Sequence, residues 1–327
     1  MSRQRTTRIW KPVLALLALL LAGGLLVAWL NLRGEETLQP DAPGSHVVDA
    51  STLARGAYLA RAGNCAGCHT ARGGAAYAGG RAIDTPFGTV FAGNLTPDAS
   101  GLGDWTAAQF RRALWHGRSA DGHLLVPAFP YTHFTQVTRA DADALWAFLR
   151  SLPPVQQANR DHALRWPYRS QAALALWRAL YFRPGVADNG LPADASSQLL
   201  RGAYLVNGLG HCSACHASRN ALGGSSSLAD SSGGSTVPGM RWQAPSLTDP
   251  AAIAMGQRES SELVQLLKSG LSNRAAVMGP MAEVVADSTQ HLSTADLQAM
   301  VAYLQRLAPP APTAPSRALR PRPADQL

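Results

Sequence analysis

The pentapeptide Cys65-Ala-Gly-Cys68-His69 determines the fold expected for this chain, and it has a second copy, Cys212-Ser-Ala-Cys215-His216. The chain contains four cysteines, and the two pentapeptides hold all of them. A disulfide, a zinc site or a thioredoxin-like redox pair would also use paired cysteines. None of the three needs a histidine directly after each pair. Covalent attachment of haem c needs two thiols for two vinyl groups and an adjacent histidine as iron ligand, so the sequence predicts two covalently bound haem c groups.

The sequence around each pentapeptide is also duplicated. Arg55-Gly-Ala-Tyr-Leu59 precedes the first copy, and Arg201-Gly-Ala-Tyr-Leu205 precedes the second. Each half then closes with a helix-start pattern before an amphipathic run, Thr138-Arg-Ala-Asp141 in one and Ser293-Thr-Ala-Asp296 in the other. Thr or Ser at an N-cap accepts from first-turn amides, and the Asp three residues later favours the positive helix end. Each half is therefore predicted to be a small helical domain.

The rest of the body is predicted to be helical or irregular. Strings such as Thr85-Pro-Phe-Gly88 and Ala92-Gly-Asn94 are interpreted as loops, and no sustained period-2 alternation predicts a sheet. The apolar stretch from Ala172 to Phe182 predicts a helix that is too short to span a membrane and packs on one domain or at the interface.

The expected fold class is all-α, with two tandem class I-like cytochrome c domains behind an N-terminal transmembrane helix. The predicted divisions are an anchor at 1–33, a linker at 34–50, a first cytochrome domain at 51–153, a linker with a packed helix at 154–196, a second cytochrome domain at 197–308, and a Pro-rich disordered tail at 309–327.

The formal net charge of +8 is concentrated at the two ends of the chain. Residues 34–308 contain 21 Lys and Arg against 20 Asp and Glu, so the body has no large excess of positive charge. Nucleic-acid binding is therefore not expected, because it calls for a clear basic excess on the folded domains.

An uncharged run of 19 residues from Pro12 to Leu30 predicts a helix that crosses the lipid bilayer. At ~1.5 Å per residue the run nearly spans a hydrocarbon core of ~30 Å. A cleaved signal peptide is the alternative, but its apolar core is usually only ~7–15 residues long and precedes a small-residue cleavage site. The cations before the run hold the N-terminus in the cytoplasm. We expect a single-pass protein of the bacterial inner membrane with its haem domains in the periplasm.

The sixth iron ligand of the second haem is expected to be a methionine, whose soft thioether raises the reduction potential of haem iron. The available residues are Met240, Met255, Met278 and Met281. Met281 is preferred because it stands in Gly-Pro-Met-Ala shortly before the closing helix, and Met278 is the next choice. Met300 is assigned to the apolar face of that helix as a core residue.

The first half offers no methionine. The residues themselves leave four histidines as alternatives for the sixth position of the first haem, together with an open site: His116, His123, His133 and His162.

Six strings carry a resemblance to a known family: Thr85-Pro-Phe-Gly-Thr-Val-Phe91, Asn94-Leu-Thr-Pro-Asp98, Gly101-Leu-Gly-Asp-Trp105, Pro127-Ala-Phe-Pro-Tyr131, Gly279-Pro-Met-Ala-Glu-Val-Val285 and Ser288-Thr-Gln-His-Leu292. Over about residues 50 to 308, the chain resembles the cytochrome c subunits of periplasmic membrane-bound dehydrogenases. These include the subunits of alcohol and gluconate dehydrogenases and the related cytochrome domains of molybdenum hydroxylases.

Two departures from the family pattern affect what the resemblance implies. The alcohol and gluconate subunits carry three haems, whereas this chain has two attachment motifs. Their first-haem ligand is the methionine of Pro-Ala-Met-Pro-Tyr, and Phe129 stands at that position here. Similar members with Phe often have the string seen here as Tyr131-Thr-His133-Phe134, so the resemblance favours His133 as the ligand, with His116, His123 and an open site as alternatives.

The resemblance implies an electron-transfer subunit that is not itself the enzyme. A periplasmic dehydrogenase catalytic subunit would supply electrons, and a quinone, a cytochrome or a terminal oxidase would accept them. A di-haem peroxidase-type enzyme with one open haem site is the alternative function. A cytochrome that becomes soluble after signal cleavage would differ only in its anchor.

Overall fold

A computed structural model of the chain describes residues 3–35, 49–185, 190–228, 234, 242–249 and 258–308, with the side chains of the first helix from Trp10 onward. The predicted tail, most of the linker at 34–50, and the ligand candidates Met240 and Met255 lie outside the described residues.

The described part of the chain is predominantly helical. The helices are α1 (Arg3–Leu32), α2 (Ala50–Ala62), α3 (Cys65–His69), α4 (Ala107–His116), α5 (Tyr131–Phe134), α6 (Arg139–Arg150), α7 (Gln171–Tyr181), α8 (Ser197–Tyr204), α9 (Ser213–His216), α10 (Ser260–Ser269), α11 (Pro280–Asp287) and α12 (Thr294–Leu307). A π-helical stretch, Leu205–Leu209, continues α8, and a 3-10 turn, Thr289–His291, precedes α12. The strands are β1 (Ala82–Thr85), β2 (Gly88–Phe91) and β3 (Ala163–Leu164).

Both predicted closing helices begin at the residues that the sequence indicates. Thr138 accepts from the Asp141 amide at 3.2 Å at the start of α6, and Ser293 accepts from the Asp296 amide at 3.1 Å at the start of α12. The predicted linker helix is also present, as α7, and Ser170 caps it. These helix starts are local, because each capping bond joins residues three positions apart.

The expectation that the fold contains no sheet was wrong. Strands β1 and β2 pair antiparallel with Ile83 opposite Val90, and β2 also pairs with β3, giving the order β1-β2-β3. Thr85-Pro-Phe-Gly88, interpreted as an irregular loop, is the turn of this hairpin, in which the Thr85 hydroxyl donates to the Gly88 carbonyl at 2.6 Å. Strands of two to four residues are too short to produce a clear alternation, and β3 comes from a distant part of the chain.

The duplicated Arg-Gly-Ala-Tyr-Leu strings form the same packing in both halves. Helix α2 packs on α6, and α8 packs on α12. A Cβ atom added to Gly56 would lie 2.0 Å from the Ala144 carbonyl oxygen, and one added to Gly202 would lie 2.0 Å from the Ala299 carbonyl oxygen. The glycine in each string therefore allows the first and last helices of each half to approach closely.

The buried apolar residues form a cluster that continues from one half into the other. Leu59 and Leu145 belong to it in the first half, and Leu209 and Leu297 in the second, each at most 2% exposed. The two halves therefore share a core instead of each enclosing a separate one.

A reciprocal pair of hydrogen bonds crosses between the halves. The Tyr58 hydroxyl donates to Asp296 at 2.6 Å, and the Tyr204 hydroxyl donates to Asp141 at 2.5 Å. Within its own half, each aspartate also accepts from the arginine of the repeated string, Arg55 for Asp141 and Arg201 for Asp296. The repeat thus produces an approximately two-fold symmetric contact.

Within α1, the segment Trp10–Leu32 is long and apolar enough to cross a bilayer, with a mean hydropathy of 2.7 over its most apolar window, none of which is buried. A signal sequence near an N-terminus can have the same length and hydropathy.

Candidate haem-attachment sites

The first attachment motif is a short helix, α3, that is separated from the end of α2 by two residues. The intervening turn places Asn64 in the left-handed region, with a φ of 49°. A Cβ atom on Gly67 would lie 2.3 Å from the Asn64 side chain, so a larger residue at this position would displace that side chain. The turn and the glycine together put Cys65, Cys68 and His69 on one helical turn.

The His69 imidazole is held in the state that can bind iron. Its Nδ1 lies 2.7 Å from the Gly93 carbonyl oxygen. A carbonyl only accepts, so Nδ1 carries the proton and the lone pair is on Nε2. Burial lowers the pKa of His69, which keeps the ring neutral. Ligating histidines typically have their second nitrogen bonded in this way.

Asn94 holds the carbonyl that orients His69. The Asn94 side chain is buried, donates to the Val155 carbonyl at 2.8 Å, and accepts from the Thr96 amide at 2.9 Å. The backbone N–H of Asn94 donates to the side-chain oxygen of Asn159 at 2.7 Å. The Asn94-Leu-Thr-Pro string therefore supports the histidine of the first motif from outside the motif.

The second motif repeats this arrangement on α9. The Nδ1 of His216 lies 2.7 Å from the Pro245 carbonyl oxygen, and burial lowers the pKa of His216. The same reasoning places the proton on Nδ1 and the lone pair on Nε2. The two carbonyls stand at the same position of matching strings, Ala92-Gly-Asn-Leu-Thr96 and Ala244-Pro-Ser-Leu-Thr248, and the two histidines have the same tautomer.

The cysteines fit covalent haem attachment better than the alternatives. All four thiols are free, so neither pair forms a disulfide. Burial raises the pKa of Cys65 and of Cys212 to about 12, so both thiols are protonated. Among the described residues, no group of three or more His, Cys, Asp and Glu could hold a metal ion. Two thiols and a neutral imidazole in each motif match the requirements of haem c.

The two attachment loops lie close to each other. Arg81 donates to the Gly67 carbonyl of the first motif at 2.5 Å and to Glu283 on α11 at 2.7 Å. The pKa of Cys68 is raised, mainly by burial. The charge of Arg81 opposes this rise, and Cys215 of the second motif adds to it. The second motif is thus within electrostatic range of the first, and α11 of the second half reaches the loop of the first.

The methionines proposed as ligands of the second haem differ in exposure. Met281 is half-buried at the start of α11, whereas the Met278 side chain is 64% exposed. Met300 is 3% exposed and belongs to the core, as predicted.

His133 lies at the contact between the halves. Its Nδ1 is 3.2 Å from the Asn207 carbonyl oxygen, and its ring centroid is 6.4 Å from that of His211. Burial lowers the pKa of His133 to about 4, with a smaller contribution in the same direction from His211. The structure therefore brings His133 to residues that precede the second motif. Phe129 stands where related subunits have the ligand methionine. Its ring packs edge to face on that of Phe134, with 5.5 Å between the ring centroids.

The other three candidate histidines have different surroundings. His116 is buried, and burial followed by the charge of Arg178 lowers its pKa to about 4. His123 is exposed, and its Nδ1 lies 2.6 Å from a carboxylate oxygen of Asp121. His162 accepts from the Phe91 amide through Nδ1 at 3.3 Å.

Sequence reasoning did not single out His211, Arg81 or Asn94 as residues of these sites. His211 has a φ of 36° and bonds through Nδ1 to the Leu209 carbonyl at 2.7 Å. Its position directly before Cys212 was an available signal. The roles of Arg81 and Asn94 depend on distant partners, Glu283 for Arg81 and Val155 for Asn94, which spacing along the chain does not indicate.

The sequence model of the cytochrome c family matches residues 53–153 and 200–308. Each matched region contains one attachment motif. Together the regions cover more than half of the chain.

Curated relatives agree with this match. The cytochrome c subunit of the quinone-dependent alcohol dehydrogenase of Gluconacetobacter polyoxogenes is 38% identical over 290 residues, covering 85% of this chain and 61% of the relative. The gluconate 2-dehydrogenase cytochrome c subunit of Pantoea cypripedii is 39% identical over 260 residues, 77% of this chain and 59% of that protein. A dihaem cytochrome c-type protein of Cereibacter sphaeroides is 35% identical over 301 residues, 89% of this chain and 96% of that protein. The chain thus spans less than two thirds of the dehydrogenase subunits but nearly all of the dihaem protein.

Proposed function

The chain belongs to the cytochrome c family, and from that premise we propose that it is a di-haem electron-transfer subunit of a periplasmic dehydrogenase. The observation that carries the proposal is the repeated arrangement of two thiols and a neutral histidine whose Nδ1 is bonded to a carbonyl. A dehydrogenase partner is supported by relatives named as cytochrome subunits of alcohol, gluconate and fructose dehydrogenases. None of these relatives supports the peroxidase alternative.

Each motif would hold one haem c through its own residues. Cys65 and Cys68 would form the thioether links of the first haem and His69 would bind its iron; the second haem would use Cys212, Cys215 and His216. When bound, the haem iron supplies a one-electron redox change. The protein supplies the proximal imidazole, its fixed tautomer and the burial of the site.

The proposed sixth ligands are His133 for the first haem and Met281 for the second. His133 is supported by its partly buried position and by the carbonyl bond at Nδ1, which leaves the Nε2 lone pair for a metal. Met281 is supported by its partly buried position at the start of α11. An imidazole in place of a thioether lowers the potential, so electrons would enter at the first haem and leave through the second to a quinone, a cytochrome or an oxidase.

The proposed domain divisions are those predicted from the sequence, with cytochrome domains at 51–153 and 197–308 and a linker helix between them. The family match to 53–153 and 200–308 supports these limits.

We also propose that α1 is a retained anchor that keeps the haem domains at the periplasmic side of the inner membrane. This is supported by contacts that cleavage would remove. Asn31 is 6% exposed, donates to the Ala175 carbonyl at 2.9 Å and accepts from Arg178 at 2.9 Å. Glu35 pairs with Arg118 at 2.7 Å. A cleaved signal would leave Arg178 buried without its asparagine partner, at a cost of about 1–3 kcal/mol.

The proposal is tested by counting haems and by following reduction. Pyridine haemochrome quantification should return two haems per chain, and the Cys212→Ala, Cys215→Ala double variant should return one. A membrane fraction that contains the catalytic dehydrogenase and its substrate should reduce both haems of the wild type. One haem in the wild type contradicts the cofactor assignment, and peroxide turnover by the reduced protein contradicts the electron-transfer role.

A further inference from the structure

Helix α7 is oriented with its apolar side chains outward and its cation inward. Leu176 and Leu180 are 53% and 51% exposed, whereas Arg178 is 2% exposed. An amphipathic helix on a water-facing surface has the opposite arrangement. The exposed side of α7 therefore needs an apolar environment that the described residues do not provide.

The buried arginine fixes this orientation. Arg178 donates through Nε to Asn31 at 2.9 Å and through its terminal nitrogen to the His116 carbonyl. Its guanidinium also lies 4.6 Å from the centre of the Phe182 ring and 5.3 Å from that of Tyr131. Rolling α7 to bury its leucines would pull the buried guanidinium away from these hydrogen-bond and ring partners, so the leucines stay outside.

The exposed apolar surface extends beyond α7. Trp177 donates through Nε1 to the Leu222 carbonyl at 2.8 Å, which brings the 48% exposed Leu222 beside the helix. We call Leu176, Leu180 and Leu222 the outer face. Residues 162–186 contain four arginines and no Asp or Glu, and three of the four are exposed: Arg165, Arg169 and Arg183.

The position of the outer face relative to the anchor identifies what covers it. Trp10 and Trp29 are 63% and 62% exposed on α1. At ~1.5 Å per residue they are ~28 Å apart, close to the ~30 Å hydrocarbon thickness. Tryptophans favour the two membrane–water interfaces, so Trp29 marks one of them. Asn31, two residues beyond Trp29, is the residue that bonds to Ala175 of α7.

The partners of α1 are spread along α7. Asn31 bonds to the Ala175 carbonyl, and Arg33 donates to the Phe182 carbonyl at 2.9 Å. These carbonyls are seven residues apart, or ~10 Å of helix, whereas their donors are two residues apart. Helix α7 therefore runs across the end of α1, at the level where the span leaves the hydrocarbon.

We propose that α7 is an interfacial membrane helix, with the outer face inserted among the acyl chains and the neighbouring arginines at the anionic headgroups. A short amphipathic helix with leucines on one side and arginines nearby has the composition of such helices. The proposal rests on the retention of α1 as the anchor. It gives the first half a second attachment to the bilayer, which holds that half against the membrane surface instead of leaving it free to tilt on α1.

The proposal is tested with the haem-loaded, full-length protein in lipid nanodiscs made of equal parts phosphatidylcholine and phosphatidylglycerol. The native cysteines are bound to haem as thioethers, so a single introduced cysteine is the reactive thiol. The variants are Leu176→Cys and Leu180→Cys, with Leu271→Cys, 60% exposed in the second half, as the matched control. Each reaction rate with a water-soluble maleimide is divided by the rate of the denatured protein. Two haems per chain and an unchanged spectrum show that each variant is folded.

We expect both α7 variants to react about tenfold more slowly than the Leu271→Cys control in nanodiscs. Equal rates in protein that co-elutes with the discs overturn the membrane helix while leaving the anchor intact. Protein that does not join the discs contradicts the anchor itself. Protection that appears only after a dehydrogenase subunit is added assigns the outer face to that subunit, which also overturns the proposal.

Discussion

At the scale of single residues, the histidines of the two motifs are equivalent, and the inequivalence that we propose for the two sites comes from their sixth ligands. Both His69 and His216 have the proton on Nδ1, held by a carbonyl at 2.7 Å. The difference is between a half without methionine, in which His133 is partly buried, and a half with Met281 at the start of α11.

The first residue-scale prediction concerns the sixth ligands. In the oxidised protein, the weak sulfur-to-iron charge-transfer band should disappear in Met281→Leu and survive in His133→Ala, because only a thioether ligand produces it. Met278→Leu, at a 64% exposed position, is the control and should keep the band. His133→Ala should raise the potential of the first haem. An unchanged spin state and potential for that haem would return the assignment to His116, His123 or an open site.

The second residue-scale prediction concerns Asn94. Asn94→Ala removes the bonds to the Val155 carbonyl and the Thr96 amide and leaves buried polar groups unpaired, so the protein should lose about 1–3 kcal/mol of unfolding free energy. The Gly93 carbonyl that orients His69 should also loosen, which should shift the potential of the first haem. Urea denaturation and a potentiometric titration measure the two effects. The second haem is the internal control, and an equal shift of both potentials would contradict this role.

At the scale of helices, the contact between the first and last helix of each half depends on one glycine. A Cβ atom at Gly202 would lie 2.0 Å from the Ala299 carbonyl oxygen, which is backbone and cannot move without shifting α12. Gly202→Ala should therefore cost about 1–3 kcal/mol of unfolding free energy, although alanine favours isolated helices.

Chemical denaturation of the holoprotein measures this cost. The matched control is Gly23→Ala in α1, where nothing lies within 4 Å of the added atom, so its stability should stay the same or rise slightly. Gly56→Ala should repeat the loss in the first half. Equal effects of Gly202→Ala and Gly23→Ala would contradict the close-packing explanation.

At the scale of the whole molecule, the reciprocal Tyr–Asp bonds join the two halves. Tyr58→Phe and Tyr204→Phe each remove a hydrogen bond to a carboxylate, so each should cost about 1.5–3 kcal/mol, and the double variant should weaken the contact between the halves most. Measured by urea denaturation, unfolding should separate into two transitions in the double variant. Tyr168→Phe, at a 37% exposed tyrosine outside this contact, is the control. A single transition at the wild-type midpoint would contradict the role of these bonds.

The contact between the halves should also depend on pH. The hydrogen bond from Arg201, followed by that from Tyr58, holds the pKa of Asp296 below its usual 3.8. A carboxyl whose pKa is depressed by folding stabilises the protein above its usual pKa, and that contribution is lost as the pH falls through the folded value. The stability difference between wild type and Tyr58→Phe should therefore be present at neutral pH and shrink below pH 3.8. A constant difference across this range would contradict the coupling.

The sequence by itself determined the features whose partners are close along the chain. Haem attachment is encoded in five consecutive residues because both thiols and the histidine must meet one haem. The caps of α6 and α12 join residues three positions apart, and α7 was indicated by its own apolar stretch. The hairpin was missed because its strands are only four residues long.

Tertiary structure alone decided the features whose partners are distant. Gly93 and Pro245 hold the two histidines from loops 24 and 29 residues away, and Tyr58 reaches Asp296 across 238 residues. The apolar stretch that predicted α7 could not tell that its leucines face outward, because that depends on the burial of Arg178 against α1. Spacing along a chain encodes which face of a helix is apolar, but only packing decides what that face meets.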